Sequence, residues 1–247
     1  MKEFNTTGLC NPDKHYMVDI TDRLVQMKKM IDKGSYFTIN RSRQYGKTTT
    51  LTALEDYLSK DYYVVSMDFQ GIGNAGFETE QSFVRSFSRM LIRINRSEEF
   101  LPKTIEEQLS DYISRKDEKG WAKLDELFET LIDWCYETEK PIVLMIDEVD
   151  SATNNQVFLD FLAMLRYHYL EREASDDYKT FQSVILAGVT DVKNLKRKLR
   201  PVEAAKVNSP WNIAVDFTID MSLSAEGIAG MLSDYEEDHN TGMDVKS

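Results

Sequence analysis

At 247 residues, 42% of them hydrophobic and 29% charged, the chain is long enough for one large core and too polar for a membrane protein. Its 30 Lys and Arg against 42 Asp and Glu give a formal net charge of -12, a field that repels phosphate backbones and anionic lipid except where basic residues concentrate locally. No apolar run approaches the roughly 18 residues of a transmembrane helix. Two cysteines without metal-type spacing, Cys10 and Cys135, and no secretory segment after Met1 predict a reducing, cytoplasmic setting and give neither thiol a role.

In chain order, periodicity predicts a first helix over about 22–32, with Leu24, Met27 and Ile31 on one stripe, Thr21 as its cap and Gly34 beyond its end. Residues 36–40 read as a short buried strand, 41–46 as a turn and 47–58 as a helix; the β-branched and aromatic run 62–68 is a second strand. Helices follow over 83–94 and 121–136, separated by the polar, loosely patterned stretch 98–120. The apolar run 142–146 is a third strand, 157–170 a helix, 183–189 a fourth strand and 213–217 a fifth. Strands that are apolar on both faces and alternate with helices belong to a parallel sheet covered on both sides, so the predicted fold is three-layer α/β. We read 1–221 as one domain, 222–235 as the start of a truncated helical lid and 236–247 as an acidic disordered tail.

Between the first strand and its helix, Arg41-Ser42-Arg43-Gln44-Tyr45-Gly46-Lys47-Thr48 fits the second half of the Walker A pattern G-x-x-x-x-G-K-[ST], with Arg41 where the first glycine belongs. Each remaining part has a chemical reason. Gly46 lets backbone amides close on phosphate oxygens, Lys47 reaches the β and γ phosphates, the Thr48 hydroxyl faces Mg2+, and the helix N-terminus favours an anion. The tripeptide Gly-Lys-Thr is common by chance, but here it lies between a strand and a helix, which is the context the motif requires. The nucleotide-binding residues are thus read as Arg41, Arg43, Gln44, Tyr45, Gly46, Lys47, Thr48 and Thr49. Arg41 and Arg43 have two readings, as solvated loop charges or as additions to the phosphate cradle.

The third strand ends in Asp147-Glu148, a Walker B-type carboxylate pair at the end of a buried strand, where ligands collect in open α/β sheets. Asp147 is assigned to the Mg2+ shell together with Thr48, and Glu148 to orienting the attacking water, with Lys47 as its catalytic companion. Asp150 has two readings, a residue supporting the site from behind its ligands or a helix-start residue, of which the second is preferred. The fourth strand is expected between the third and the first, giving the order 5-1-4-3-2 of the additional-strand P-loop ATPases. In that class the end of the inserted strand senses the γ-phosphate, and Thr190, followed by Asp191, is the candidate; its alternative role is a helix cap.

These residues resemble the bacterial AAA-ATPase-like family, whose phosphate loop runs Arg-x-Arg-x-aromatic-Gly-Lys-Thr/Ser without a first glycine. Here that is Arg41, Arg43, Tyr45, Gly46, Lys47 and Thr48, supported by Lys14 to Asp19, Leu144 to Asp150 and Asn208 to Ile213, over roughly 4–235. The resemblance implies ATP and Mg2+ as ligands, ATP hydrolysis, and a protein client or homo-oligomer as partner; a nucleotide-binding switch with little turnover is the alternative.

Longer members of the family continue into a lid and a PD-(D/E)xK nuclease-like domain. After the fifth strand this sequence has one amphipathic helix, so a second sensor arginine and the nuclease carboxylates have no counterpart, and nuclease activity is not carried over. Related ATPases pack the segment before the first strand on the base, which makes Tyr16 to Val18 either base-pocket or ordinary core residues. The basic cluster Lys193, Lys196, Arg197, Lys198 and Arg200 has three readings: a solvated face, an arginine finger at Arg197 or Arg200, or the one patch of an acidic chain suited to nucleic acid.

Overall fold

Four parallel strands carry the molecule: β1 Phe37–Asn40, β2 Tyr63–Asp68, β3 Ile142–Asp147 and β4 Ser183–Gly188, side by side in the order β1-β4-β3-β2. The computed structural model describes residues 2–5, 10–11, 13–40, 46–115, 120–189, 211–215, 219 and 221–245. Every residue of β3 and β4 is buried, which is why these segments read as unbroken apolar runs.

Their side chains sort by the period of two. Ile142, Leu144, Ile146, Val184 and Leu186 face a core shared with α3 Glu80–Glu98, α4 Lys103–Ser114, α5 Leu124–Glu137 and α6 Gln156–Ala174. Val143, Met145, Ile185 and Ala187 face a second core under α1 Thr21–Asp32 and α2 Lys47–Leu58. Helices on both faces of a parallel sheet make the three layers expected. At the lower edge, Arg172 near the end of α6 fastens the layers together: its guanidinium donates to the carbonyls of Phe181 at 2.7 Å, Gln182 at 3.1 Å and Gly34 at 2.6 Å.

The expected order 5-1-4-3-2 is met over β1-β4-β3-β2, and its fifth member is represented by a single parallel bridge between Val215 and Phe37 on the outer side of β1. The Val215 amide donates to the Tyr36 carbonyl at 2.9 Å, and fully buried Trp211 stacks on the Tyr36 ring at 5.9 Å. Residues 216 and 217, the rest of the expected strand, lie outside the described residues.

Four local readings change. Thr21 begins α1 rather than capping it; the Asp19 carboxylate accepts both its amide, at 2.8 Å, and its hydroxyl, at 2.6 Å. The polar stretch after residue 98 contains α4, whose buried Ile105, Leu109 and Tyr112 recur at helical spacing among charged neighbours. Asp150 stands in a short 3-10 turn, Val149–Ser151, six residues before α6 begins at Gln156.

The last helix, α7 Ala225–His239, runs past residue 235, so the boundary expected at 236 falls inside it. The Ser224 hydroxyl accepts the Gly227 amide at its start, and Tyr235 and His239 near its end stack at 4.3 Å. Tyr235 also packs on Phe4 and Tyr16, and the Tyr16 hydroxyl donates to Asp238 at 2.7 Å. Acidic residues are acceptable on an exposed helix once tertiary contacts hold it, and no residue of α7 is buried.

Candidate functional site

Gly46 precedes α2 with φ +68°, a left-handed conformation that glycine adopts without a Cβ penalty. Lacking a side chain, it cannot cap the helix, and no acidic residue stands in the first turn, whereas α3 and α5 each carry one or more there. The start of α2 therefore keeps its positive end for an external anion. Lys47 is buried, Thr48 exposed and Thr49 half-buried.

Asp147 closes β3, buried to 8% exposure, with both carboxylate oxygens engaged. Oδ2 accepts the Thr48 hydroxyl at 2.7 Å and Oδ1 accepts the Glu148 amide at 2.8 Å. Thr48 and Asp147 are thus brought into direct contact from opposite ends of the motif pair. A hydroxyl and a carboxylate are hard oxygen donors of the kind Mg2+ takes, and Mg2+ is usually held by one or two such protein groups plus substrate phosphates and water. Among the described residues no group of three or more His, Cys, Asp or Glu could hold a metal ion.

Glu148 has φ 52° and ψ 40°, a left-handed position that costs a residue with a Cβ roughly 1–2 kcal/mol. Its carbonyl accepts the Ser151 hydroxyl at 3.0 Å, and its half-exposed carboxylate makes no hydrogen bond or ion pair to any described residue. Such a side chain is available to a water molecule. Beside it, Asp68 at the end of β2 is the register partner of Asp147 and was not anticipated; its carboxylate accepts the Gln70 amide at 2.8 Å.

Against the start of α2 lies a cavity of about 530 Å³, lined among others by Met17, Val18, Arg23, Gly46, Thr49 and Met221. Tyr16 lines it too and is 4% exposed; its burial and then its hydrogen bond to Asp238 push the phenol up to about 12. Tyr16 is thus buried while Met17 and Val18 are half-buried, and all three line a cavity beside the start of α2. Arg23 belongs to no motif, because a lone arginine in a helix stripe carries no signature. It is 9% exposed and donates to Thr50 Oγ1 at 3.3 Å and the Ser222 carbonyl at 3.1 Å, joining α1, α2 and the segment before α7. Cys10 also lines the cavity, while Cys135 is buried in α5, where desolvation pushes its thiol up to about 12.

The remaining sequence candidates, Arg41, Arg43, Gln44, Tyr45, Thr190, Asp191 and the cluster Lys193, Lys196, Arg197, Lys198 and Arg200, lie outside the described residues. Among those described, no helix is long and apolar enough to cross a membrane.

A parallel sheet with Gly46, Lys47 and Thr48 opening a helix after β1, and Asp147 ending β3 against Thr48, defines a P-loop nucleotide-binding core. Residues 13–226 match the family described as AAA-like domain, and the chain belongs to that family. Among solved structures, Cdc6p from Pyrobaculum aerophilum is similar at 16% identity over 88% of this chain and 49% of that one, with a TM-score of 0.49. The Aeropyrum pernix ORC1 protein, in complex with DNA, is similar at 11% identity over 90% and 50%, with a TM-score of 0.46. The chain spans about half the length of these two proteins. No curated protein matches.

Proposed function

We propose that this chain binds ATP with Mg2+ and hydrolyses it. The observation that carries the reading is the 2.7 Å contact between Thr48 and Asp147, which unites the two halves of a nucleotide site from segments far apart in sequence. Lys47 and the first amides of α2 would hold the phosphates, Thr48 and Asp147 the cation, and Glu148 a water in line with the γ-phosphate. When bound, the cation would neutralise charge on the phosphate oxygens. The cavity beside Thr49 has the size and the mixed apolar lining of a base pocket. Arg41, Arg43, Gln44 and Tyr45 complete the phosphate loop in this proposal, and Thr190 senses the γ-phosphate.

Calorimetry with Mg2+ and ATP tests the site: Lys47→Ala is expected to abolish measurable binding, and unchanged affinity would remove the assignment. A second reading, a nucleotide-dependent switch with little turnover, is favoured by Arg41 in place of the first glycine. Single-turnover release of γ-phosphate separates the two. Wild type should exceed Glu148→Gln if the chain hydrolyses ATP, and should equal it if the chain is a switch.

A further inference from the structure

The loop carrying Glu148 is fastened to the neighbouring strand by a residue to which neither motif assigns a role. Asp150, in the turn Val149–Ser151, accepts the Val189 amide on its Oδ2 at 2.6 Å. Val189 is the first residue past β4 and is exposed, so without Asp150 this amide would turn to solvent. The approach is close. A Cβ at Gly188 would stand 2.8 Å from Asp150 Oδ2 and 2.9 Å from Val149 Cγ2, so the absence of a side chain there is what lets the loop seat against the strand. Gly188 is in turn the register partner of Asn40, the last residue of β1 before the phosphate loop.

Glu148 needs such a fastening. A left-handed residue with a Cβ persists only where its surroundings over-determine it. On its N-terminal side, Glu148 is fixed by Asp147, which accepts its amide. On its C-terminal side the turn is closed by local bonds, Ser151 amide to the Glu148 carbonyl at 3.3 Å and Ala152 amide to the Val149 carbonyl at 2.9 Å, and the fully buried Val149 seats it on the core without fixing it by a directional bond. The Asp150 contact ties that turn to β4, and Val189 is also the residue immediately before Thr190.

We infer that Asp150 is a positioning residue for nucleotide hydrolysis: by holding the Val189 amide it locks the Glu148 turn to the end of β4 and keeps the Glu148 carboxylate aimed at the site. This rests on the hydrolysis reading above. It assigns Asp150 no contact with the nucleotide, so its loss should lower the rate of the chemical step and leave binding in place.

The test is single-turnover γ-phosphate release from Mg2+ and ATP, measured beside nucleotide affinity for wild type, Glu148→Gln, Asp150→Ala, Asp150→Asn and Gly188→Ala. Asp150→Ala is expected to slow release about tenfold or more while affinity stays within about twofold. Asp150→Asn keeps a carbonyl oxygen for the Val189 amide and should remain within about threefold of wild type. Gly188→Ala pushes the turn off the strand from the other side; it should reproduce the slow release even if Asp150→Ala does not fold. Wild-type rates in Asp150→Ala or Gly188→Ala would overturn the positioning role, as would equal losses in the Ala and Asn variants of Asp150. If wild type releases phosphate no faster than Glu148→Gln, the hydrolysis reading itself falls, and the positioning role with it, before any Asp150 variant is compared.

Discussion

Thr48, in the first turn of α2, donates its hydroxyl proton to Asp147, the last residue of β3, across 2.7 Å. A charged acceptor strengthens the bond, and its burial makes the loss of the donor costly. Replacing Thr48 by Val leaves a nearly buried carboxylate one partner short, at a cost of about 1–3 kcal/mol of stability. Urea denaturation without nucleotide should record that loss. The same variant should lose the part of its nucleotide affinity that depends on Mg2+, so that affinities with and without a chelator converge.

Glu148 combines a left-handed backbone with a carboxylate that bonds to no described residue. Glu148→Gly removes the strain and the carboxylate together. Thermal denaturation should show stability unchanged or raised by up to about 1 kcal/mol, while phosphate release drops to the level of Glu148→Gln. A marked destabilisation would mean that the left-handed position is not the source of strain.

Near the end of α7 one hydrogen bond ties the helix to the N-terminal segment. Tyr16 donates to Asp238 at 2.7 Å, and that bond is the first cause holding the Asp238 carboxyl below its usual range. A depressed carboxyl adds stability above its unfolded value, and the gain disappears as pH falls through the folded value. Tyr16→Phe should therefore speed amide exchange across 225–239 at neutral pH, and the difference from wild type should vanish in acid, where Asp238 is protonated in both.

His168 on α6 gives a second pH test, of the same sign but in a higher pH window. Its ring lies nearly parallel to Phe128 at 5.3 Å, Nδ1 is 2.6 Å from the Tyr178 hydroxyl, and buried Nε2 meets no partner among the described residues. Burial lowers its pKa below the ordinary 6.5. The unfolded chain then binds the proton more readily, so stability is full above that value and declines as pH falls from 6.5 towards the lower folded pKa. Denaturation at pH near 7 and near 5.5 should differ in wild type, and His168→Phe should flatten the slope; an unaltered slope would place the titrating group elsewhere.

Some of this was legible early because its cause is local. Gly46 must turn left-handed before a helix, Lys47 and Thr48 must follow it, and β3 must be apolar throughout to lie between two layers; each leaves a mark in consecutive residues. The helix α4 was missed because its three buried residues are diluted by charged ones on its exposed side. Thr21 suits a cap by residue type, yet the cap position falls at Ile20, and only the hydrogen bonds reveal that Asp19 holds the amide and hydroxyl of Thr21.

What the sequence by itself determined is the chemistry available: a phosphate-loop helix start, a carboxylate pair on a buried strand, and a parallel α/β sheet. Only the tertiary structure decided which of those groups meet. The bond from Thr48 to Asp147, the hold of Asp150 on Val189, the position of Arg23 beside Thr50 and the reach of Tyr16 to Asp238 all join residues far apart in the chain. Spacing within a segment carries no record of such pairs, because strand order and layer packing, and not neighbouring residues, bring them within hydrogen-bond distance.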